Sequence, residues 1–280
     1  INEKLKSRGI KTKKSIFLIN SNSIVIRKIK LPFLKKSSEV LSMLQIELQQ
    51  TVSIDLSKYR IIYELSDITY ENRIPYAVYI VYCVPVILVS QYTELAAKLK
   101  LKLLKIEIIP NCINALYKNN IKINGGVLNN NETAAFVNVS ENFLSFLAAN
   151  HGICDFYISS YFKESFIEMA AESLSQYRYL SSATADNLFA AQITKFMRYY
   201  YSVSGNRSID KIYIYGCNHK IKEEINNKLN INSEIITKIS NLSETVLPDS
   251  FDLGKYFNTV LSLFSRDKGL KINTRKLKLK

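Results

Sequence analysis

Three stretches carry the residues whose types and spacing could do chemistry. AAFVNVSENFLSFLAANHG (134–152) has the pattern of a phosphate-cradling hairpin: an apolar strand, an acidic residue, a glycine, a polar turn and a second apolar strand. In such a hairpin the carboxylate holds a metal-bound water, and the glycine lets backbone approach phosphate. Here those positions hold Asn138 and Ser140. Asn138 keeps an acceptor without charge, and Ser140 brings a Cβ. An ordinary core hairpin with Val137, Val139, Phe143, Phe146 and Leu147 inside competes with a weakened phosphate site. IDKIYIYGCNHKI (209–221) reads as a strand, then Gly216-Cys217, then a helix whose N-terminus could receive phosphate or adenosine; a bland strand-to-helix connection fits it too. NLFAAQITKFMRYYYS (187–202) reads as a helix with an apolar stripe of Phe189, Ile193, Phe196, Met197 and Tyr200. Gln192, Lys195 and Arg198 line its polar side, able to touch a nucleotide or simply to meet solvent.

Other chemistries lack their parts. Two-metal phosphoryl transfer needs several converging carboxylates, whereas Glu132, Glu141 and Asp155 fall at strand ends and turns. His151 and His219 stand in no triad-like or nucleophile-elbow context. Cys83, Cys112, Cys154 and Cys217 are scattered singly, without zinc-ligand spacing, and read as buried reduced thiols. No catalytic or metal constellation is expected.

The elements that must position these residues follow from the pattern. The chain has 280 residues, 47% hydrophobic and 22% charged, with a net charge of +14, and reads as one or two globular domains without a signal peptide or membrane span. Nucleic acid, an anionic membrane surface and a lysine-rich coding bias compete to explain the charge. Basic residues concentrate only in RDKGLKINTRKLKLK (266–280), a solvated linker or a membrane-surface contact. Few aromatic–basic platforms support nucleic-acid binding.

SIFLI (15–19) and SIVIRKIKL (23–31) read as a hairpin about Asn20-Ser21-Asn22. A helix with Val40, Leu44 and Leu48 on its apolar face follows, opened by Ser37, Ser38 and Glu39. Strands at 58–65 and 75–84, a helix after Pro85, a strand at 101–109 and a short helix from Pro110 to Tyr117 complete the first half. Gly125-Gly126 and Asn129-Asn130-Asn131 form the clearest loop, taken as a domain boundary. The second half reads as strands 133–139, 143–149 and 153–158, helices 164–180 and 187–203, strand 210–215, helix 219–229, strand 233–238 and helix 252–265. That order is ribonuclease-H-like α/β. The first half reads as the later part of a similar unit, its opening strands expected before Ile1.

This ordered set resembles the PilM family of type IV pilus assembly proteins. TVSIDLSKY (51–59) sits between helix and strand as that family's segment does, and VYCVPVILVSQYTELAAKLKLKLLKIEIIPNCINALYK (81–118) is similar to its next strand, helix, strand and short helix. AAFVNVSENFLSFLAANHG resembles its second phosphate hairpin, FAAQITKFMRYYYS its Glu-x-x-Arg-Ser helix, and IYIYGCNHKI its Gly-Gly adenosine turn. The resemblance spans nearly the whole chain. It implies an α/β, actin-like fold, a duplicated ribonuclease-H-like unit with an inserted α+β subdomain and its N-terminal hairpin missing. It places the first actin-like subdomain at 1–31 and 107–131, the insertion at 32–106, the second domain at 132–265 and a basic tail at 266–280.

The resemblance further implies a cytoplasmic scaffold at the inner membrane face, membrane-bound only peripherally, with other pilus platform proteins as neighbours. It would bind the N-terminal tail of a PilN-like membrane protein near Leu31, Pro32, Pro110 and Asn111. A relative from secretion or cell division, GspL- or FtsA-like, and an active actin-fold ATPase are the alternatives. Asn138, Ser140, Gln192, Lys195, Gly216 and Cys217 are the degenerate nucleotide-site candidates, ATP with Mg the candidate cofactor, and no enzyme activity is expected. Asn138 and Ser140 depart from the family's Asp and Gly, Gln192 from its Glu, and Cys217 from its second Gly. Ile272-Asn273 partly echoes an Ile-Asn-Leu motif of PilN-type tails.

Overall fold

The computed structural model describes residues 3, 7, 9, 13–140, 143–161, 181–216, 226, 231–240 and 251–265, with backbone alone over 181–188. The expected helix at 164–180, nearly all of that at 219–229, and the tail at 266–280 lie outside the described residues. These residues divide into two compact units. One runs to Asn111 and takes in Ser265; the other is Cys112–Phe264.

The first unit holds two sheets. Strand β1 (Lys14–Ile19) pairs in parallel with β5 (Lys102–Ile108). Strands β2 (Val25–Pro32), β3 (Tyr59–Glu71) and β4 (Ile74–Pro85) form a separate antiparallel sheet in the order β2-β4-β3. The expected hairpin of the first two strands is therefore corrected. A turn does form, with Ile24 N donating to Ser21 O at 3.3 Å, but it delivers the chain from one sheet to the other. Helix α1 (Ser37–Thr51) covers one face of the three-stranded sheet. Its Val40, Leu44 and Leu48 recur every four residues and so share a stripe, which packs on Ile29, Leu31, Ala77 and Tyr79. Leu44 and Leu48 are fully buried, each worth about 1.5–3 kcal/mol of transfer free energy. β3 and β4 join through Asn72-Arg73, both at positive φ (48° and 68°), a turn whose twist matches that of the strands. A bulge between Leu65 and Asp67 bends β3. Helix α2 (Val86–Lys98) packs on β1, β4 and β5, with the Phe17 and Tyr92 rings 5.5 Å apart.

Helix α3 (Ile109–Lys118) leads into the second unit. There β6 (Ala134–Ser140), β7 (Phe143–Asn150), β8 (Ile153–Tyr161), β9 (Lys211–Tyr215) and β10 (Asn232–Ile235) form one sheet, ordered β10-β9-β6-β7-β8. β6-β7 and β7-β8 run antiparallel; β6-β9 and β9-β10 run parallel. This is the ribonuclease-H-like arrangement. Because side chains alternate along a strand, each buried strand serves two cores. One face, with Val137, Val139, Leu144 and Phe146, packs on Ile193, Phe196 and Tyr200 of α4 (Ser181–Val203). The other stacks Phe136 on Tyr213 and edge-on to Tyr117 of α3, and sets Tyr215 against Phe257 of α5 (Leu253–Phe264) at 4.7 Å.

Beyond β10, Asn124 (φ 50°) works as a fastener. Its Nδ2 donates to Ile235 O at 2.7 Å, and its Oδ1 accepts from Thr237 N at 2.9 Å. Among the described residues no helix is long and apolar enough to cross a membrane.

Candidate functional site

The parallel strands β6, β9 and β10 all point their carboxyl ends the same way, and there the second unit gathers its sequence-marked residues. Gly216 follows β9 with φ +81°. A Cβ on it would lie 2.6 Å from Asn138 Oδ1 and 2.6 Å from Val139 O, so no side chain fits. Gly254, in the first turn of α5, closes the same corner: a Cβ there would stand 3.4 Å from Gly216 N and 3.3 Å from Asp252 Oδ1. Asp252 caps this helix, its Oδ1 accepting from Lys255 N at 3.1 Å. Asn138, Gly216 and the start of α5 thus converge.

Such a corner, carboxyl strand ends with glycines at a helix N-terminus, has the elements that phosphate sites use. Two features pull the other way. The protein's own atoms fill the space beside Gly216, so its glycine is explained without a ligand. The Asp252 carboxylate already supplies the negative charge that the helix N-terminus favours.

The remaining candidates are placed as follows. Ser140 is exposed, and its hydroxyl donates to Phe143 O at 3.1 Å within the hairpin. On α4, Gln192 is half-buried and Lys195 exposed; among the described residues no hydrogen bond links either to Asn138, Ser140 or Gly216. Cys217 lies outside the described residues. Among those residues no group of three His, Cys, Asp or Glu side chains stands ready to hold a metal ion. Cys83, Cys112 and Cys154 are buried. Burial pushes the Cys83 thiol up to about 11, against a smaller opposing effect of Arg27.

Beneath the corner runs a row the sequence reading missed. Tyr215, Asn138, Ser145 and Ser159 sit opposite one another across four strands. Tyr215 and Asn258 exchange hydrogen bonds at 2.9 and 3.2 Å. Ser145 is fully buried, with no partner for its hydroxyl among the described residues. Its only sequence signal is a serine inside the apolar run FLSFLAA.

The partner candidates fall in the first unit. Leu31 is 1% exposed and belongs to the core under α1, so its side chain cannot line an open groove. Pro32 is exposed at the end of edge strand β2, opposite Tyr76. Pro110 is buried and Asn111 half-buried in the first turn of α3, where Asn111 Nδ2 donates to Glu107 Oε1 at 2.9 Å. No hydrogen bond among the described residues joins Leu31 or Pro32 to Pro110 or Asn111. Next to Pro32, on the face that α1 covers farther along, Phe33 and Tyr70 are exposed by 41% and 72%, with Leu65 and Ile68 on the same face. That exposed apolar strip was not foreseen.

No protein-family model matches the chain, and no curated protein matches it. Among solved structures it matches a chain of a PilM-PilN type IV pilus biogenesis complex, over 95% of this chain and 84% of that one, at 12% identity and a TM-score of 0.70. It also matches the cytoplasmic domain of EpsL, an inner membrane component of the type II secretion system of Vibrio cholerae, over 95% and 81%, at 8% identity and a TM-score of 0.43. A Bacteroides thetaiotaomicron protein with an actin-like ATPase fold and unknown function matches over 95% and 81%, at 12% identity and a TM-score of 0.39.

Proposed function

We propose that the chain, whose α/β fold is shared with the matched chain of the PilM-PilN complex, is an actin-like scaffold of a type IV pilus assembly platform, working at the cytoplasmic face of the inner membrane and binding the N-terminal tail of a PilN-like membrane protein. The observation that carries this reading is the likeness to that complex at a TM-score of 0.70 over 95% of the chain, which takes in the three-stranded sheet with α1 as well as the five-stranded one. In this reading 32–106 is the inserted subdomain, 1–31 and 107–131 the first actin-like subdomain, 132–265 the second domain and 266–280 a basic tail. The tail peptide docks beside Pro32, Pro110 and Asn111, with the apolar strip of Phe33 and Tyr70 receiving apolar residues of the peptide.

Nucleotide plays a minor part in this proposal. The corner of Asn138 and Gly216 is filled by the chain itself, Ser140 bonds within its hairpin, and an uncharged amide stands where a phosphate hairpin has its carboxylate. With Gln192, Lys195 and Cys217 they form a degenerate site, so ATP with Mg binds weakly and turnover is absent.

The test is calorimetric titration of the full-length protein with a synthetic N-terminal tail of a PilN-like protein from the same organism. Saturable one-to-one binding supports the scaffold role. No heat with a protein shown to be folded overturns it.

A further inference from the structure

Lysines that stand far apart in the sequence, at 13–14 and 98–102, meet at one end of the first unit. Strand β1 begins at Lys14 and its parallel partner β5 at Lys102, and these two residues are register partners. The Lys102 N–H donates to Lys13 O at 2.6 Å. Helix α2 ends at the same place. Lys98 closes its last turn and Lys100 follows at φ 54°. The N–H groups of Lys100 and Leu101 donate back to Ala97 O at 3.0 Å and to Ala96 O at 2.9 Å. Lys13, Lys14, Lys98, Lys100 and Lys102 thus gather there, all exposed. Among the described residues no ion pair engages Lys13, Lys98, Lys100 or Lys102. β5 carries one residue more than β1 at this point, so Leu104 falls in a bulge, where it is 53% exposed.

Folding alone does not ask for these charges. Lys98 and Lys100 suit the negative end of the helix dipole, which explains part of the cluster. Yet Lys100 occupies the left-handed closing position of a Schellman turn, where glycine fits without strain. Lys14 and Lys102 set like charges side by side on paired strands, where they repel. A surface of one sign suits a partner of the other. The only rings on β1, α2 and β5, those of Phe17 and Tyr92, are half-buried and pack on each other, so these elements present no platform on which bases stack. An exposed leucine among lysines instead matches the boundary between lipid headgroups and acyl chains, where amphipathic surfaces seat apolar residues beside cations. We propose that this end of the first unit is a peripheral membrane contact. Its lysines meet anionic lipid headgroups, and Leu104 enters the headgroup layer. The contact is a folded surface, separate in sequence from the basic tail at 266–280, and it holds whether or not the protein binds a PilN-like tail.

Co-sedimentation of the full-length protein with vesicles tests this, using phosphatidylcholine with and without phosphatidylglycerol at low salt. Binding to the anionic vesicles alone is expected. A lysine near an anionic surface is worth roughly fivefold in partitioning, so Lys100→Gly with Lys102→Gln should weaken binding by about tenfold or more. Lys100→Gly also relieves its turn, so the melting temperature should hold or rise, which separates lost binding from lost folding. Lys28→Gln with Lys35→Gln removes the same charge from exposed positions elsewhere in the unit and should stay within about threefold of the native protein. The tail at 266–280 is common to all these proteins, so the difference between the two pairs reads the surface itself. Equal weakening by both pairs reduces the binding to overall charge and overturns the proposal, as does a native protein that leaves anionic vesicles unbound. Lipid is also the wrong partner if Leu104→Ser, which keeps every charge, binds as tightly as the native protein, or if duplex DNA at equal phosphate concentration is bound more tightly than the vesicles.

Discussion

Replacing Gly216 by alanine puts the corner of the second unit to a quantitative test. The glycine sits at φ +81°, where an L side chain is strained by about 1–2 kcal/mol. The new Cβ would also meet two oxygens at 2.6 Å. Asn138 Oδ1 ends a side chain that can rotate aside. Val139 O is backbone in a strand paired on both edges and moves only if β6 shifts, an overpacking strain of roughly 1–3 kcal/mol. Together these give a loss of about 3 kcal/mol, more than a hundredfold in the unfolding equilibrium. For a unit of this size the melting temperature should fall by roughly 6–12 °C. Thermal and urea denaturation of the full-length protein read the loss, with an unchanged urea slope showing that stability alone has altered. Adding Asn138→Ala should restore about 1 kcal/mol and no more, since Val139 O stays in place. If Gly216→Ala lies within about 1 kcal/mol of the native protein, the reasoning fails. The glycine would then answer to something outside the chain, and a bound phosphate group would return as its explanation.

Two further perturbations follow from the cores. Leu44→Ala empties a fully buried position under α1 and should destabilise the first unit by about 3 kcal/mol, while exchange protection in β6 and β7 stays native. Alkaline titration probes the buried tyrosines. Burial raises Tyr200 from 10.0 to about 12, with nearby Asp155 adding to the rise, and burial raises Tyr117, Tyr157 and Tyr215 as well. The folded state therefore holds these protons more tightly than the unfolded one. The stability this contributes is complete below pH 10 and is lost as pH rises toward 12. Tyrosinate absorbance should show these side chains ionising together with the loss of the circular dichroism signal. Ionisation of every tyrosine near pH 10, with the fold intact, would contradict the burial assigned to them.

What could be read from the sequence was what repeats locally. The apolar runs of β6, β7 and β8 and the four-residue spacing of Val40, Leu44 and Leu48 named their elements, and the elements in order named the fold. Pairing was harder. Asn20-Ser21-Asn22 does make a turn, but nothing in those residues says that β1 will seek β5, more than 80 residues away, while β2 joins β4. Local pattern carries no information about partners so remote. The site was half legible for the same reason. Asn138 and Gly216 were marked by motif and do meet, whereas Leu31, marked by its place before a proline, faces a core that only the β2-β4 register defines. Glu107 carried no signal at all: a lone carboxylate in an apolar strand gives no hint that a serine 158 positions later will reach it.

Asn124 has a consequence for how the molecule behaves among copies of itself. Ile236 turns its N–H inward to Ile214 O, so Ile235 O and Thr237 N face away from β9 along the border of the sheet. A passing strand could pair with such groups, which makes open sheet borders sites of aggregation. The Asn124 carboxamide offers a donor to one and an acceptor to the other, as the peptide group of a neighbouring strand would. This side chain, with the main-chain bonds from Asn124 N to Lys238 O and from Ser240 N to Lys122 O beside it, covers that part of the border where other proteins place a proline, a lysine or a bulge.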